Sequence, residues 1–149
     1  MAPVFCLASS VEWDGQMSKL RVLLADDHPN MLQMVESILE PAFEVVGKVA
    51  DGKALLESAP KLNPDIIVTD ISMPILNGIE AVKKLKESGC RAKVVFLTVH
   101  SDHEFVRVCL EAGASGYVVK LRMVTDLLDA MQAALAGHSF TSPNLTYRN

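Results

Sequence analysis

Residues 20–30 read LRVLLADDHPN, an apolar run that ends on two adjacent carboxylates, Asp26 and Asp27, with no Lys or Arg beside them. A run of six apolar or mixed residues is strand length rather than helix length. Pro29 suits the first turn of a helix, so the acidic pair falls where a buried strand hands over to a helix.

The same unit recurs downstream. FEVVGKVA (43–50), DIIVT (65–69), KVVFLT (93–98) and GYVV (116–119) are short and mostly continuous in Val, Ile and Leu, as expected of parallel strands covered on both faces. Between them lie helical spacings: Leu32, Val35 and Leu39; Ile79, Val82 and Leu85; Leu127, Leu128, Met131 and Leu135. Asn77 reads as a helix cap, Ser101 with Glu104 as a capping box, and Gly89 and Gly113 as helix stops. The order is β-α five times over. Right-handed crossovers then give a doubly wound α/β fold, one parallel sheet with helices on both faces.

Composition agrees. The 149 residues suffice for one domain with a sizeable core, and half of them are hydrophobic. Eighteen acidic against 14 basic residues leave a net charge of -4, which argues against direct nucleic-acid binding by this chain. Three cysteines, Cys6, Cys90 and Cys109, form no CxxC pair and fit free thiols in a reducing cytoplasm. Residues 1–18 lack the basic start of a signal peptide, and no apolar run approaches transmembrane length, so no membrane association is expected.

In doubly wound sheets the ligand site lies beyond the carboxyl ends of the strands. Asp26 and Asp27 end strand 1, Asp70 ends strand 3, Thr98 ends strand 4 and Lys120 ends strand 5. Three carboxylates on one rim repel one another, and a hard divalent ion such as Mg²⁺, sharing its coordination with waters and phosphate oxygens, removes the conflict. Asp70 in this setting suits a nucleophile that forms an acyl phosphate, with the Lys120 ammonium and the Thr98 hydroxyl meeting the phosphoryl oxygens. Each residue alone also has a plain reading. Asp26 and Asp27 are good helix caps, Thr98 a strand-end hydroxyl, Lys120 a surface amine and Tyr117 core. His28 and His100 fall near the rim without His/Cys ligand spacing and read as polar neighbours. Lys83, Lys84 and Lys86 read as a solvated helix face, with Glu80 and Lys84 a helix-spaced pair.

Taken in order, the acidic pair of LLADDHPN, the aspartate of DIIVTDISMPILNG, the Thr of VVFLT and the Tyr and Lys of GYVVK resemble the receiver domain of two-component response regulators. The resemblance covers residues 19–137 and implies a flavodoxin-like five-stranded sheet in the order 2-1-3-4-5. It implies that Asp26 and Asp27 hold Mg²⁺ together with Asp70 and the backbone carbonyl of Ser72. Asp70 is then the phosphoacceptor for a histidine kinase or a histidine phosphotransfer protein. Thr98 and Lys120 bind the acquired phosphoryl group, and Thr98 with Tyr117 forms the switch. DDHP and the tail GHSFTSPNL are most similar to regulators that carry a LuxR-like helix-turn-helix output domain, with regulation of transcription as the expected consequence.

Three expectations follow from where the chain departs from that pattern. Val99 stands where a small residue usually follows the Thr, and is expected to narrow access to the acceptor. Leu121 stands where the family commonly has Pro; a cis bond there would cost about 2.5–4 kcal/mol, so a trans bond is expected. Residues 1–18 form an extension of unassigned role, and residues 138–149 a tail or the start of a linker to an output domain that this chain has no room for.

Three functional classes fit. The first is a phosphorylatable switch that self-associates or binds a partner on phosphorylation, catalysing only its own phosphorylation and slow dephosphorylation. The second is a pseudo-receiver acting as a protein-interaction module. The third, a phosphohydrolase of small substrates, ranks last because DISMP lacks a second acid two residues after Asp70.

Overall fold

The computed structural model describes residues 19–143; residues 1–18 and 144–149, and with them Cys6 and most of the tail, lie outside the described residues. The chain alternates β1 (Leu20–Ala25), α1 (Pro29–Leu39), β2 (Phe43–Val49), α2 (Gly52–Leu62), β3 (Ile66–Thr69), α3 (Gly78–Glu87), β4 (Lys93–Thr98), α4 (His103–Glu111) and β5 (Gly116–Val119). A short 3₁₀ turn (Lys120–Arg122) leads into α5 (Met123–Leu135). All strand pairs are parallel and the first five strands lie in the order β2-β1-β3-β4-β5, as the family resemblance implies.

Residues placed in the tail by sequence add a sixth strand. Phe140–Thr141, here β6, pairs in parallel with Gly116 and Tyr117 of β5. It is locked by polar contacts that lack periodicity and so leave no pattern to read. The Ser142 hydroxyl donates to Asp126 Oδ2 on α5 at 2.7 Å and accepts from Val119 N at 3.2 Å. Asp126 is buried and also accepts from Arg122 Nε at 2.8 Å.

The continuous apolar strands are two interleaved faces. Val22 and Leu24 of β1 with Val95 and Leu97 of β4 face one core, closed by Val35 and Leu39 of α1 and Leu127, Ala130 and Met131 of α5. Leu23, Ala25, Ile67 and Phe96 face the other, closed by Leu55 of α2, Val82 and Leu85 of α3, and Val106 and Cys109 of α4. Burying a side chain of this size is worth about 1.5–3 kcal/mol, so each face selects the period-two register even where both are apolar. Cys90 and Cys109 are free thiols.

Local signals hold with two corrections. Pro29 opens α1, Asn77 Oδ1 accepts from Glu80 N at 2.8 Å, and Gly89 and Gly113 take positive φ at helix ends. The cap of α4 is Asp102, not Ser101: Asp102 Oδ1 accepts from Glu104 N at 2.9 Å, a shorter loop than a capping box requires. The lysine cluster is not uniformly solvated. Lys86 donates to Ala92 O at 2.8 Å, and burial lowers its ammonium pKa, while Glu80 lies 3.6 Å from Lys83 rather than pairing with Lys84.

Candidate functional site

The carboxyl ends of β1, β3, β4 and β5 share one edge of the sheet, and residues far apart in sequence meet there. Asp70 follows β3 and is anchored by its own N–H, which donates to Ala25 O at 2.9 Å. Its Oδ1 accepts from Ile71 N at 2.7 Å. The loop that leaves Asp70 folds back tightly: Gly78 N donates to Ile71 O at 2.8 Å, and a Cβ on Gly78 would stand 2.0 Å from Asp70 O. Only glycine permits that approach. Within the same loop Ile75 has φ +71° and Leu76 N donates to Pro74 O at 2.7 Å, a strained γ-turn with a β-branched residue at its centre.

Lys120 reaches the rim without a cis bond, since no described peptide is cis. Its ammonium donates to Asp26 Oδ2 at 2.8 Å and Asp70 Oδ2 at 3.0 Å, and its side chain is only 9% exposed. Burial pushes its pKa down, but the hydrogen bonds and charges of Asp26 and Asp70 outweigh burial and hold it above the ordinary lysine value. Leu121 is turned fully outward.

Asp27 sits beside this bridge. One of its oxygens, Oδ1, is buried with no hydrogen bond although His28 Nδ1 lies 3.0 Å away. Donor atoms of Asp26, Asp27, His28 and Asp70 lie within 4.8 Å of one another. An orphaned buried carboxylate oxygen among clustered carboxylates fits an oxygen-seeking divalent cation. His28, read from the sequence as a polar neighbour of the rim, is held beside the cluster by a backbone turn: His28 N donates to Asp26 Oδ1 at 2.9 Å.

Thr98 is fully buried at the end of β4, and its Oγ1 accepts from His100 N at 3.3 Å. Tyr117 is also fully buried, and its hydroxyl donates to His100 O at 2.7 Å. Burial raises the Tyr117 pKa, with Cys109, Asp102 and Asp70 adding to it, so the hydroxyl stays a donor. The His100 ring stacks on Phe105 of α4, centroids 4.2 Å apart, and its Nε2 lies 3.2 Å from Ser72 Oγ. His100 therefore ties together Thr98, Tyr117, Ser72 and α4, a junction that no sequence motif announces. Val99 points largely to solvent, 68% exposed.

Comparisons with known proteins agree with this arrangement. The response regulator receiver domain family model matches residues 22–132. The transcriptional regulatory protein DegU of Brevibacillus brevis is 36% identical over 132 residues, covering 87% of this chain and 56% of that protein. Among solved structures, a LuxR-family two-component response regulator from Aurantimonas sp. SI85-9A1 superposes with TM-score 0.81 at 34% identity, covering 85% of this chain and 92% of that one. The isolated receiver domain of RcsB from Salmonella enterica serovar Typhimurium, solved in the presence of phosphomimetic BeF3⁻, gives TM-score 0.77 at 31% identity, covering 85% and 95%. The chain spans a little over half the length of curated relatives such as DegU. With the sheet order, the acidic rim and these matches in agreement, the chain belongs to the response regulator receiver domain family.

Proposed function

We propose that this receiver accepts a phosphoryl group on Asp70 from a histidine kinase or histidine phosphotransfer protein in the cytoplasm, and that the modified domain changes its self-association or partner binding. The observation that carries the reading is the Lys120 ammonium bridging Asp26 and Asp70 beside an unpaired buried oxygen of Asp27. A carboxylate oxygen of Asp70 attacks phosphorus, the donor's N–P bond breaks, and its electron pair leaves with the imidazole nitrogen. The product is an acyl phosphate. Asp26, Asp27, Asp70 and the Ser72 carbonyl are the proposed ligands of Mg²⁺, which when bound neutralises oxygens of the transferring group.

The chain's own residues supply the rest. Lys120 exchanges its contact with Asp70 for one with the new phosphoryl oxygens, a charge-assisted bond. Thr98 turns its hydroxyl to the same group and gives up His100 N, which links it to Tyr117 and, through Phe105, to α4. Such a shift spreads only if packed neighbours have two discrete arrangements, and the Thr98–His100–Tyr117 junction is the candidate. The reach of Lys120 despite Leu121 favours this reading over an interaction-only pseudo-receiver.

The test is sedimentation with and without a stable phosphoryl mimic and Mg²⁺. Association that rises with the mimic, and is lost in Thr98→Ala while Asp70 still labels, supports the switch. Identical association of wild type in both states, alone and with its kinase, contradicts it.

A further inference from the structure

Lys120 is held from both sides by groups that lie outside the rim. Its neighbour Val119 is the last residue of β5, and the Val119 N–H faces β6, where the Ser142 hydroxyl accepts from it at 3.2 Å. Ser142 also donates its own N–H to Tyr117 O at 2.9 Å. Pro143 follows and offers no N–H to extend the ladder. The final rung beside Lys120 is thus made by a side-chain oxygen.

On its other side the chain enters the 3₁₀ turn Lys120–Arg122 at once. Leu121 is 97% exposed and packs nothing against the fold. Arg122 supplies the hold instead: its Nε donates to Asp126 Oδ2 at 2.8 Å. The same Asp126 oxygen accepts from the Ser142 hydroxyl at 2.7 Å. One carboxylate therefore ties residue 119, through Ser142, to residue 122, and Lys120 lies between the tie points. Asp126 and Ser142 are both buried, so the bond between them is shielded from water. Burial alone raises the Asp126 pKa, but the bonds from Arg122, Ser142 and Thr125 outweigh it and keep the carboxylate ionised.

We propose that Ser142 and Asp126 are positioning residues for phosphoryl transfer to Asp70, acting through Lys120. This rests on the reading of Lys120 as the ammonium that meets the phosphoryl oxygens. Lysine carries its charge on a flexible four-carbon stem, so its backbone must be fixed if the ammonium is to stay 2.8 Å from Asp26 and 3.0 Å from Asp70. A misplacement of about 1 Å at such a group costs up to about 10²-fold in rate. The tail strand β6 therefore belongs to the working receiver, because the Ser142 that follows it sets where the lysine enters the site.

The test uses the full chain with phosphoramidate as the small phosphodonor, following the labelling rate by intact mass and Mg²⁺ affinity by calorimetry. The proteins are wild type, Ser142→Ala, Asp126→Ala, Lys120→Met and the double variant of Lys120→Met with Ser142→Ala. The expected result is labelling about 10-fold slower in Ser142→Ala and in Asp126→Ala, with Mg²⁺ affinity held or raised, since a displaced ammonium no longer opposes the cation. A merely structural role lowers rate and Mg²⁺ affinity together. In the Lys120→Met background, adding Ser142→Ala should slow labelling by less than about twofold, because the group it positions is gone. If Asp126→Ala does not fold, Ser142→Ala, which removes a single oxygen, decides. Labelling of Ser142→Ala within about threefold of wild type, a parallel fall in its rate and Mg²⁺ affinity, or an undiminished penalty in the Lys120→Met background overturns the proposal while leaving the phosphoacceptor standing. Wild type that takes no label on Asp70 overturns the receiver reading itself.

Discussion

Replacing Lys120 by Met keeps the length and apolar stem of the side chain and removes only its charge. In the native site the ammonium stands 2.8 Å from Asp26 and 3.0 Å from Asp70, with all three side chains less than a tenth exposed. At an effective dielectric of about 20, each contact is worth roughly 6 kcal/mol before the cost of desolvation. Desolvation offsets most of that, yet removing one member of a buried ion pair costs about 3–5 kcal/mol, because the partners stay buried without compensation. Against a total stability of about 5–15 kcal/mol this is a large fraction. Urea unfolding of Lys120→Met in chelator should therefore show a loss of about 3–5 kcal/mol. Excess Mg²⁺ should recover part of it, since removing a positive charge from the pocket strengthens cation binding. The pH dependence has a fixed sign. The Lys120 pKa is raised, so its contribution is present below the ordinary lysine value of 10.5 and is lost as pH climbs through the raised one; the variant lacks that alkaline loss. A cost in chelator below about 1 kcal/mol, the behaviour of an exposed pair, would refute a Lys120 held between the two carboxylates.

Asp126→Asn should cost about 1–3 kcal/mol at neutral pH by weakening the bonds from Arg122, Ser142 and Thr125. Burial raises the Asp126 pKa but those bonds outweigh it and lower it, so its contribution is present above the unfolded value of 3.8 and disappears as pH falls through the lowered one. Acid unfolding that is identical in the variant would contradict this. Gly78→Ala should lower the melting temperature sharply and disturb Asp70, because the added carbon meets a backbone oxygen at 2.0 Å; a variant that melts and phosphorylates like wild type would contradict the loop geometry. Val99→Ala, at the exposed position after Thr98, should speed both labelling by small donors and hydrolysis by opening the approach to Asp70, and unchanged rates in both directions would show that the side chain faces away from the site.

The fold was legible because parallel strands covered on both faces leave continuous apolar runs, and because Pro29, Asn77, Gly89 and Gly113 mark helix ends by local chemistry. The rim was legible because chain order puts Asp26, Asp27, Asp70, Thr98 and Lys120 at strand ends. What sequence did not carry are contacts set by three-dimensional approach. Strand β6 is two residues long and rests on Ser142 reaching Asp126. His100 acts through its backbone as much as its ring, and the entry of His28 into the acidic cluster depends on a turn around Asp26. Neither has a periodic pattern.

The central claim is that Asp70 takes a phosphoryl group in a cation-dependent way. Intact mass before and after incubation with a small phosphodonor, in Mg²⁺ and in chelator, tests it directly. One added phosphoryl group in Mg²⁺, mapped to Asp70 and absent from Asp70→Asn, is the predicted result. Labelling that survives Asp70→Asn, or that proceeds fully in chelator, would contradict it.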